Sequence, residues 1–192
     1  ADRRGSVDAR RLRHPLDAHE WNESMEGDVM PGLVDPAIGL KSFQQELKKG
    51  GIKPKRCTSA PSLFVETDSP DPSVLRITFA FVNNKRTPAY AVFILVEPIN
   101  GVPCWGLGYA TDERARNKGH AVKIVNAGLQ ELKTICKRLY PGQGFYVEAI
   151  VGRDNEASQK VAERTLGGDP EEIVDDETRV PAYYYLKHFP VE

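Results

Sequence analysis

One stretch of the sequence combines positive charge, small residues and a predicted helix start, and it is the best candidate for chemistry. It reads Thr-Asp-Glu-Arg-Ala-Arg-Asn-Lys-Gly-His-Ala over residues 111–121. A helix beginning at about Gly119 leaves its first backbone N–H groups without intrahelical partners, and its dipole adds partial positive charge. Gly119 and Ala121 keep side-chain atoms away from an approaching ligand, while full charges come from Arg114, Arg116 and Lys118. These features predict a pyrophosphate site, with a solvated basic helix start as the alternative.

The strand before this turn belongs to a predicted run of antiparallel strands. Leu75, Ile77, Phe79 and Phe81 alternate with polar or small residues, which predicts a strand with one face on a core. A turn over 83–88 and an apolar run over Ala89–Glu97 complete a hairpin. A further turn over Pro98–Pro103 leads to a third strand at about 104–111. Upstream, Pro36 and Gly50-Gly51 delimit a helix over 36–49, and Leu63–Glu66 reads as a short strand.

The segments after the turn predict a long helix, a strand and a second helix. The long helix carries a stripe of apolar residues at spacings of three and four, namely Val122, Val125, Leu129, Leu132, Cys136 and Leu139. Phe145–Val151 forms the strand, and Asp154 or Asn155 caps the second helix, whose inward residues are Ala157, Val161 and Leu166. A last strand runs from Ala182 to about His188.

This order predicts an α/β or α+β fold in a single domain over residues 25–192. A crossover helix requires the strands near 108 and 148 to be parallel, whereas the preceding hairpin is antiparallel, so the sheet is mixed. Residues 1–24 are either a basic N-terminal arm or in part a remnant of expression; a strand near Val7–Leu12 followed by a short helix from Asp17 is the competing interpretation.

Two motifs in this order resemble those of the GNAT acetyltransferases. Arg116-Asn117-Lys118-Gly119-His120-Ala121 fits the family's R/Q-x-x-G-x-G/A motif, and Gly108-Tyr109-Ala110-Thr111-Asp112 is similar to its fourth strand. Glu148-Ala149-Ile150-Val151 resembles the fifth strand, and the Asn155 to Glu163 segment resembles the following helix in the N-x-x-S form of the RimJ/RimL-like branch. The resemblance covers about a third of the chain well. It implies a mixed, mostly antiparallel sheet with a splayed parallel strand pair and flanking helices.

The resemblance implies acetyl-CoA as acyl donor. Backbone amides of the turn carrying Arg116 to Ala121 would bind its pyrophosphate, and Ala110 and Thr111 would pair with the pantetheine arm. An N–H near Tyr109 would face the thioester carbonyl, where negative charge grows as an amine attacks. Asn155 and Ser158 would lie beside the pantetheine and its sulfur, although Asn155 also suits an ordinary helix cap.

Transfer to an amine also needs a base and a proton donor. Many GNAT enzymes supply a tyrosine where this chain has Ala162, so Ser158 or a tyrosine of the last strand, such as Tyr184, would substitute. Glu148 is the candidate base, with a solvent-facing strand carboxylate as the alternative. His120 more simply contributes only its backbone amide. Of the tyrosines at 183–185, at least one is expected in the core, because strand side chains alternate.

Composition excludes several other classes of function. The net charge of −1 gives no basic field for nucleic acid, and the longest apolar run, Ala89–Val96, is too short to cross a membrane. The three cysteines form no CxxC pair, so neither a zinc site nor a disulfide framework is indicated; Cys104 and Cys136 read as buried hydrophobes. We therefore expect a cytoplasmic protein without a metal. The acidic stretch over 169–177 reads as a solvated loop that could also attract a cationic acceptor.

The resulting prediction is an N-acetyltransferase that moves acetyl directly from acetyl-CoA to a primary amine. The acceptor is a protein N-terminus or a small molecule, and a homodimer remains open. One variant is a toxin-like enzyme that acetylates aminoacyl-tRNA, and no other nucleic-acid partner is expected. The rival classes are a non-catalytic acyl-CoA sensor, favoured by Ala162, and a domain that binds some other phosphate.

Overall fold

The computed structural model describes residues 35–84, 86–175 and 178–191, and these form one mixed sheet flanked by helices. The helices are α1 (Pro36–Lys49), α2 (His120–Leu139) and α3 (Glu156–Thr165). The strands are β1 (Lys55–Arg56), β2 (Leu63–Asp68), β3 (Arg76–Phe81), β4 (Ala89–Ile99), β5 (Val102–Thr111), β6 (Phe145–Gly152), β7 (Glu171–Val174) and β8 (Pro181–Phe189). Their order in the sheet is β1-β2-β3-β4-β5-β6-β8-β7. The predicted arm over 1–24, the strand and helix within it, and residues 176 and 177 of the acidic stretch lie outside the described residues.

The first helix matches its prediction, and its ends show why. The side chain of Asp35 accepts a hydrogen bond from the Ala37 N–H, and Pro36 occupies the first helical position, where no amide partner is needed. Gly50 ends the helix in the left-handed conformation, with φ of 77°. Leu40 of α1 is buried with Ala80, Tyr90 and Val92 of the sheet.

The strands β2 to β5 form an antiparallel run, and two details of its prediction were wrong. The turn expected over Pro98–Pro103 is shorter, because β4 extends to Ile99 and β5 begins at Val102. Asn100 and Gly101, with φ of 51° and 77°, suffice as a two-residue hairpin turn. The prediction of a single buried face was also wrong for β3. Thr78 and Ala80 on its other face are buried as well, because helices pack on both sides of this part of the sheet.

The long helix α2 crosses β3, β4 and β5 on the face opposite α1. It buries four of the six residues of the predicted stripe, Val125, Leu129, Leu132 and Cys136, together with Ile124 and Gly128, whereas Val122 and Leu139 at its two ends are only half-buried. A β carbon at Gly128 would lie 2.9 Å from the Phe93 ring and 3.1 Å from the Phe79 ring. The glycine therefore lets the helix approach two aromatic rings that are themselves fully buried.

The helix α3 packs on α2, β6 and β8, and the inward position of Ala157 was wrongly predicted. Ala157 is exposed, whereas Ala162, Thr165 and Leu166 are buried. The helix has only ten residues, and Ala157 faces a cavity rather than the core. Asn155 is the cap, since its side chain accepts from the Ser158 N–H at 3.1 Å.

The strands β5 and β6 are parallel, as predicted, but they pair over a short distance only. Three residue pairs join them, ending at Gly106 with Glu148. Beyond that point the strands diverge, and Leu107 to Thr111 have no partner on β6. The fold is thus the mixed, mostly antiparallel sheet with a splayed parallel pair that the resemblance implied.

The acidic stretch is not simply a solvated loop, because part of it forms the edge strand β7. Glu171 to Val174 pair with residues 181–184 of β8 in antiparallel register. No apolar pattern in the sequence predicts this strand, since three of its four residues are exposed. Its pairing with β8 stabilises it instead.

Candidate functional site

A cavity of about 890 Å³ opens where β5 ends and where α2 and α3 begin. The diverging strands β5 and β6 contribute its inner end through Leu107, Gly108 and Ile150. Of the residues predicted to bind a cofactor, the structure brings most to its wall: Tyr109, Ala110, Thr111, Arg116, Asn117, Gly119, His120, Ala121, Asn155 and Ser158. The cavity therefore joins the predicted pyrophosphate turn to the gap between the parallel strands.

The start of α2 presents unused hydrogen-bond donors to this cavity. Gly119 is the N-cap residue with φ of 72°, and it has no side-chain cap. The first amide of this helix with a backbone acceptor is that of Lys123, which donates to the Gly119 carbonyl at 3.2 Å. The N–H groups of His120, Ala121 and Val122 have no acceptor among the described residues, and all three residues line the cavity. Such a helix start favours an anion.

The turn before α2 is held in place by its own polar contacts. Asp112 accepts from the Arg114 N–H at 3.1 Å and from the Gln44 amide at 3.1 Å, and these bonds lower the pKa of its carboxyl. Gln44, which belongs to α1, also donates to the Thr87 carbonyl at 2.9 Å, so α1 helps to hold the turn in place. Lys118 donates to the Arg114 carbonyl at 3.0 Å. Arg114 and Lys118, which were predicted to bind the cofactor, do not line the cavity, in contrast to Arg116.

Two further cations face the cavity that sequence reasoning missed. Lys160 and Arg164 of α3 line it, and Lys160 lies 3.6 Å from Glu156 in an exposed ion pair. Their spacing of four places them on one face of a helix, which was the available signal. Asp35, Pro36 and Ala37, at the start of α1, also contribute to the wall and were missed.

The wall of the gap also holds polar groups without partners. The Thr111 hydroxyl is buried and has no hydrogen-bond partner among the described residues. The edge of β5 from Leu107 to Thr111 likewise lacks a strand partner on the β6 side. Polar groups without a partner beside an open cavity indicate a place where an extended ligand supplies the missing hydrogen bonds.

Glu148 and Tyr184 form a pair at the narrow end of the gap, on the face opposite α2 and α3. The Tyr184 hydroxyl donates to the Glu148 carboxylate at 2.9 Å. Burial and this hydrogen bond raise the pKa of Tyr184, so its phenol stays protonated. Neither residue lines the cavity itself, but Glu148 belongs to the last residue pair before the strands part. Tyr185 points the other way and is buried, as alternation predicted for one tyrosine of this run.

The cysteines are buried and free, as predicted for Cys104 and Cys136. Burial raises the pKa of each of the three thiols to about 12. Cys104 is fully buried beside Glu148, whose negative charge raises the thiol pKa further. Among the described residues, no group of three or more His, Cys, Asp or Glu side chains could hold a metal ion. No helix of the described part is both long and apolar enough to cross a membrane.

Comparisons with known proteins give similarity in structure but not in sequence. The sequence matches no family model and no curated protein. RimL, a ribosomal alpha-N-protein acetyltransferase solved with coenzyme A, is 19% identical over 61% of this chain and 64% of its own, with a TM-score of 0.49. Aminoglycoside acetyltransferase AAC(6')-Ib, solved with coenzyme A and kanamycin, is 15% identical over 60% and 67%, with a TM-score of 0.45. A GNAT-family acetyltransferase from Streptococcus pneumoniae is 14% identical over 59% and 66%, with a TM-score of 0.43. The chain thus spans about two thirds of the length of these structures.

Proposed function

We propose that this protein is an N-acetyltransferase that transfers acetyl from acetyl-CoA to a primary amine. One observation carries the proposal: the uncapped start of α2 and the unpaired edge of β5 line a single continuous cavity. The first suits a pyrophosphate, and the second suits an extended chain with amide groups. Coenzyme A carries both groups in that order.

The turn from Arg116 to Ala121 would hold the pyrophosphate. The free N–H groups at the start of α2 supply the hydrogen bonds, and Arg116, Lys160 and Arg164 supply positive charge around the cavity. Arg114 adds charge to the turn, and Lys118 fixes the turn's backbone through the Arg114 carbonyl. Asn117 adopts a positive φ of 59° beside Gly119, which gives the turn its tight curvature.

The gap between β5 and β6 would take the pantetheine arm. Thr111 offers backbone groups on the side of β5 that has no partner on β6, and its hydroxyl is available as well, whereas the backbone of Ala110 pairs with Tyr90 of β4. Asn155 and Ser158 close the opposite wall from the start of α3. The N–H of Tyr109 would face the thioester carbonyl and stabilise the charge that develops there.

Glu148 would act as the base for the amine. An ammonium ion cannot attack, so a proton must pass to Glu148 before the nitrogen bonds to the carbonyl carbon. Tyr184 orients the carboxylate by donating to it and remains protonated while it does so. Since Glu148 lies at the end of the gap on the face away from α2, the amine would enter from that face.

Direct transfer fits the site better than an acyl-enzyme. No cysteine lines the cavity among the described residues, and the nearest to Glu148, Cys104, is fully buried with its pKa raised to about 12. A thiol of that kind is a poor nucleophile. The amine would therefore attack the thioester itself, with both substrates bound together.

The acceptor class we propose is a protein N-terminus or a small-molecule amine, with aminoacyl-tRNA as a further arm of the test. A sensor domain without turnover is the second candidate, because Ala162 leaves α3 without a proton donor at that position. The test has two stages, beginning with binding of acetyl-CoA measured by thermal shift. Release of free thiol is then followed with peptides, polyamines, aminoglycosides and aminoacyl-tRNA.

The outcomes separate the candidates. Binding with thiol release for one amine supports the enzyme, and Glu148→Gln should then lower turnover about a hundredfold or more without changing the Kd of acetyl-CoA. Tight binding without thiol release across the panel would favour the sensor. No thermal shift with acetyl-CoA would reject both and leave a site for another phosphate.

A further inference from the structure

One face of β6 and β8 is open, and its composition is not that of an ordinary solvent face. The side chains of β6 alternate between buried and open, and α3 packs on the buried face. The open face carries Glu148 and Ile150 of β6 together with Tyr184 and Leu186 of β8. Ile150 and Leu186 are 45% and 39% exposed. The open face of a sheet is normally polar, so large apolar side chains left in solvent there indicate a binding surface.

The two exposed apolar side chains are neighbours of Glu148. Leu186 lies directly opposite Glu148 in the ladder between β6 and β8, and Ile150 is the next residue on the same face of β6. Side chains opposite each other in a ladder have β carbons about 5 Å apart, and successive side chains on one face of a strand are about 7 Å apart. An ammonium group that reaches the Glu148 carboxylate therefore brings its own substituent against Ile150 and Leu186. The carboxylate attracts the amine, and the apolar side chains favour an apolar group beside it.

Ile150 also offers backbone hydrogen-bonding groups next to this surface. The Arg153 N–H donates to the Pro181 carbonyl on the β8 side, and backbone groups alternate in direction along a strand. Ile150 lies three residues earlier, so its N–H and carbonyl point away from β8 into the gap, where it has no partner on β5. An acceptor with an amide group next to its amine can bond to them, whereas a simple alkylamine cannot.

We infer that the acceptor is a peptide N-terminus whose first residue has a large apolar side chain, such as leucine. This rests on the proposed acetyl transfer and narrows its acceptor. The amine would lie at Glu148, the first side chain on Ile150 and Leu186, and the first peptide group at the Ile150 backbone. Ile150 also lines the cavity, so the surface is continuous with the proposed position of the thioester. A polyamine is the competing class, because the exposed carboxylate of Glu171 lies beside Tyr184.

The test uses conjugates of coenzyme A, so that it does not depend on turnover. The sulfur is joined through a CH₂–CO group to the N-terminus of a tripeptide that begins with leucine or with serine, or to one end of spermidine. The leucine conjugate should bind about tenfold more tightly than the serine conjugate in calorimetry. A conjugate of 3-methylbutylamine, which has the leucine side chain without the peptide group, should bind more weakly than the leucine conjugate.

Leu186→Thr tests whether this surface gives the preference. The variant should reduce the preference for leucine over serine to about twofold. It should leave the Kd of coenzyme A itself unchanged, because Leu186 does not line the cavity. Val174→Thr is the matched control, since Val174 is 58% exposed on β7 but lies on the opposite face of the sheet. This control should keep the full preference.

Equal Kd values for the leucine and serine conjugates, or a preference that persists in Leu186→Thr, would overturn the inference. Tighter binding of the spermidine conjugate than of the leucine conjugate would overturn it in favour of a polyamine. Equal binding of the 3-methylbutylamine and leucine conjugates would overturn the assignment to a peptide. Failure of the native protein to bind coenzyme A would instead overturn the proposed function.

Discussion

Replacing Gly119 by alanine tests the proposed pyrophosphate site most directly, because the chain supplies its own control. Gly119 and Gly50 have nearly the same backbone, with φ of 72° and 77° and ψ of 12° and 18°. A β carbon at either position would have no atom within 4 Å. Alanine should therefore cost each protein about 1 kcal/mol from the left-handed backbone alone. For a chain of this size that lowers the thermal midpoint by about 2–4 °C.

Only Gly119 lines the cavity, so only its substitution should also affect the ligand. The added methyl group would stand beside the free N–H groups of α2 and keep a pyrophosphate from reaching at least one of them. A hydrogen bond to a charged group contributes about 1.5–3 kcal/mol, so the Kd of acetyl-CoA should rise about tenfold or more. Calorimetry on both variants measures this, and thermal unfolding without ligand measures the shared backbone cost. Equal losses of stability with an unchanged Kd in Gly119→Ala would show that the pyrophosphate does not bind here.

The remaining predictions concern stability and the thiols. Asn155→Ala removes the cap of α3 and should lower the free energy of unfolding by about 1 kcal/mol; an unchanged urea midpoint would argue against capping. Gly128→Ala should also destabilise the protein by about 1 kcal/mol, because crowding of the Phe93 ring outweighs the gain in helix propensity; a more stable variant would show that the rings can move aside. Folding raises the pKa of the three cysteine thiols from 9.0 to about 12. The free energy of unfolding should therefore not depend on these groups below pH 9. It should fall between pH 9 and 12, because the unfolded chain releases their protons while the folded chain keeps them. Urea unfolding at two pH values on either side of 9 measures this fall, and an aromatic disulfide reagent at pH 8 should label the thiols only after unfolding; rapid labelling of the native protein would contradict their burial.

Strong local signals made most of the fold predictable. Proline and glycine mark the ends of α1, and an apolar stripe runs along α2. Both helices can therefore be predicted from the local sequence alone. The parallel pairing of β5 with β6 followed from the crossover helix between them. The strands β1 and β7 gave no such signal, because they are short, exposed and stabilised by pairing with their neighbours.

The residues of the candidate site fall into the same two groups, those with a local signal in the sequence and those without one. Tyr109 to Thr111 and Ala115 to Ala121, apart from Lys118, line the cavity, and one turn brings them to it because they lie close together in the sequence. Lys160 and Arg164 reach the cavity because of how α3 packs, and a helix of ten residues gives little periodicity from which to infer that packing. The contact of Tyr109 with Ser158 depends on the gap between two strands, which no local pattern describes.

The short ladder between β5 and β6 leaves few backbone hydrogen bonds at one point of the sheet. Helices α1 and α2 pack with the strands up to β5, whereas α3 packs with β6 and β8. The contact of α2 with α3 and the hydrogen bond from Tyr109 to the Ser158 carbonyl also connect the two sides of the gap. A ligand in the gap would touch β5 and α3 together and should slow amide hydrogen exchange on both sides, including at residues far from its own atoms.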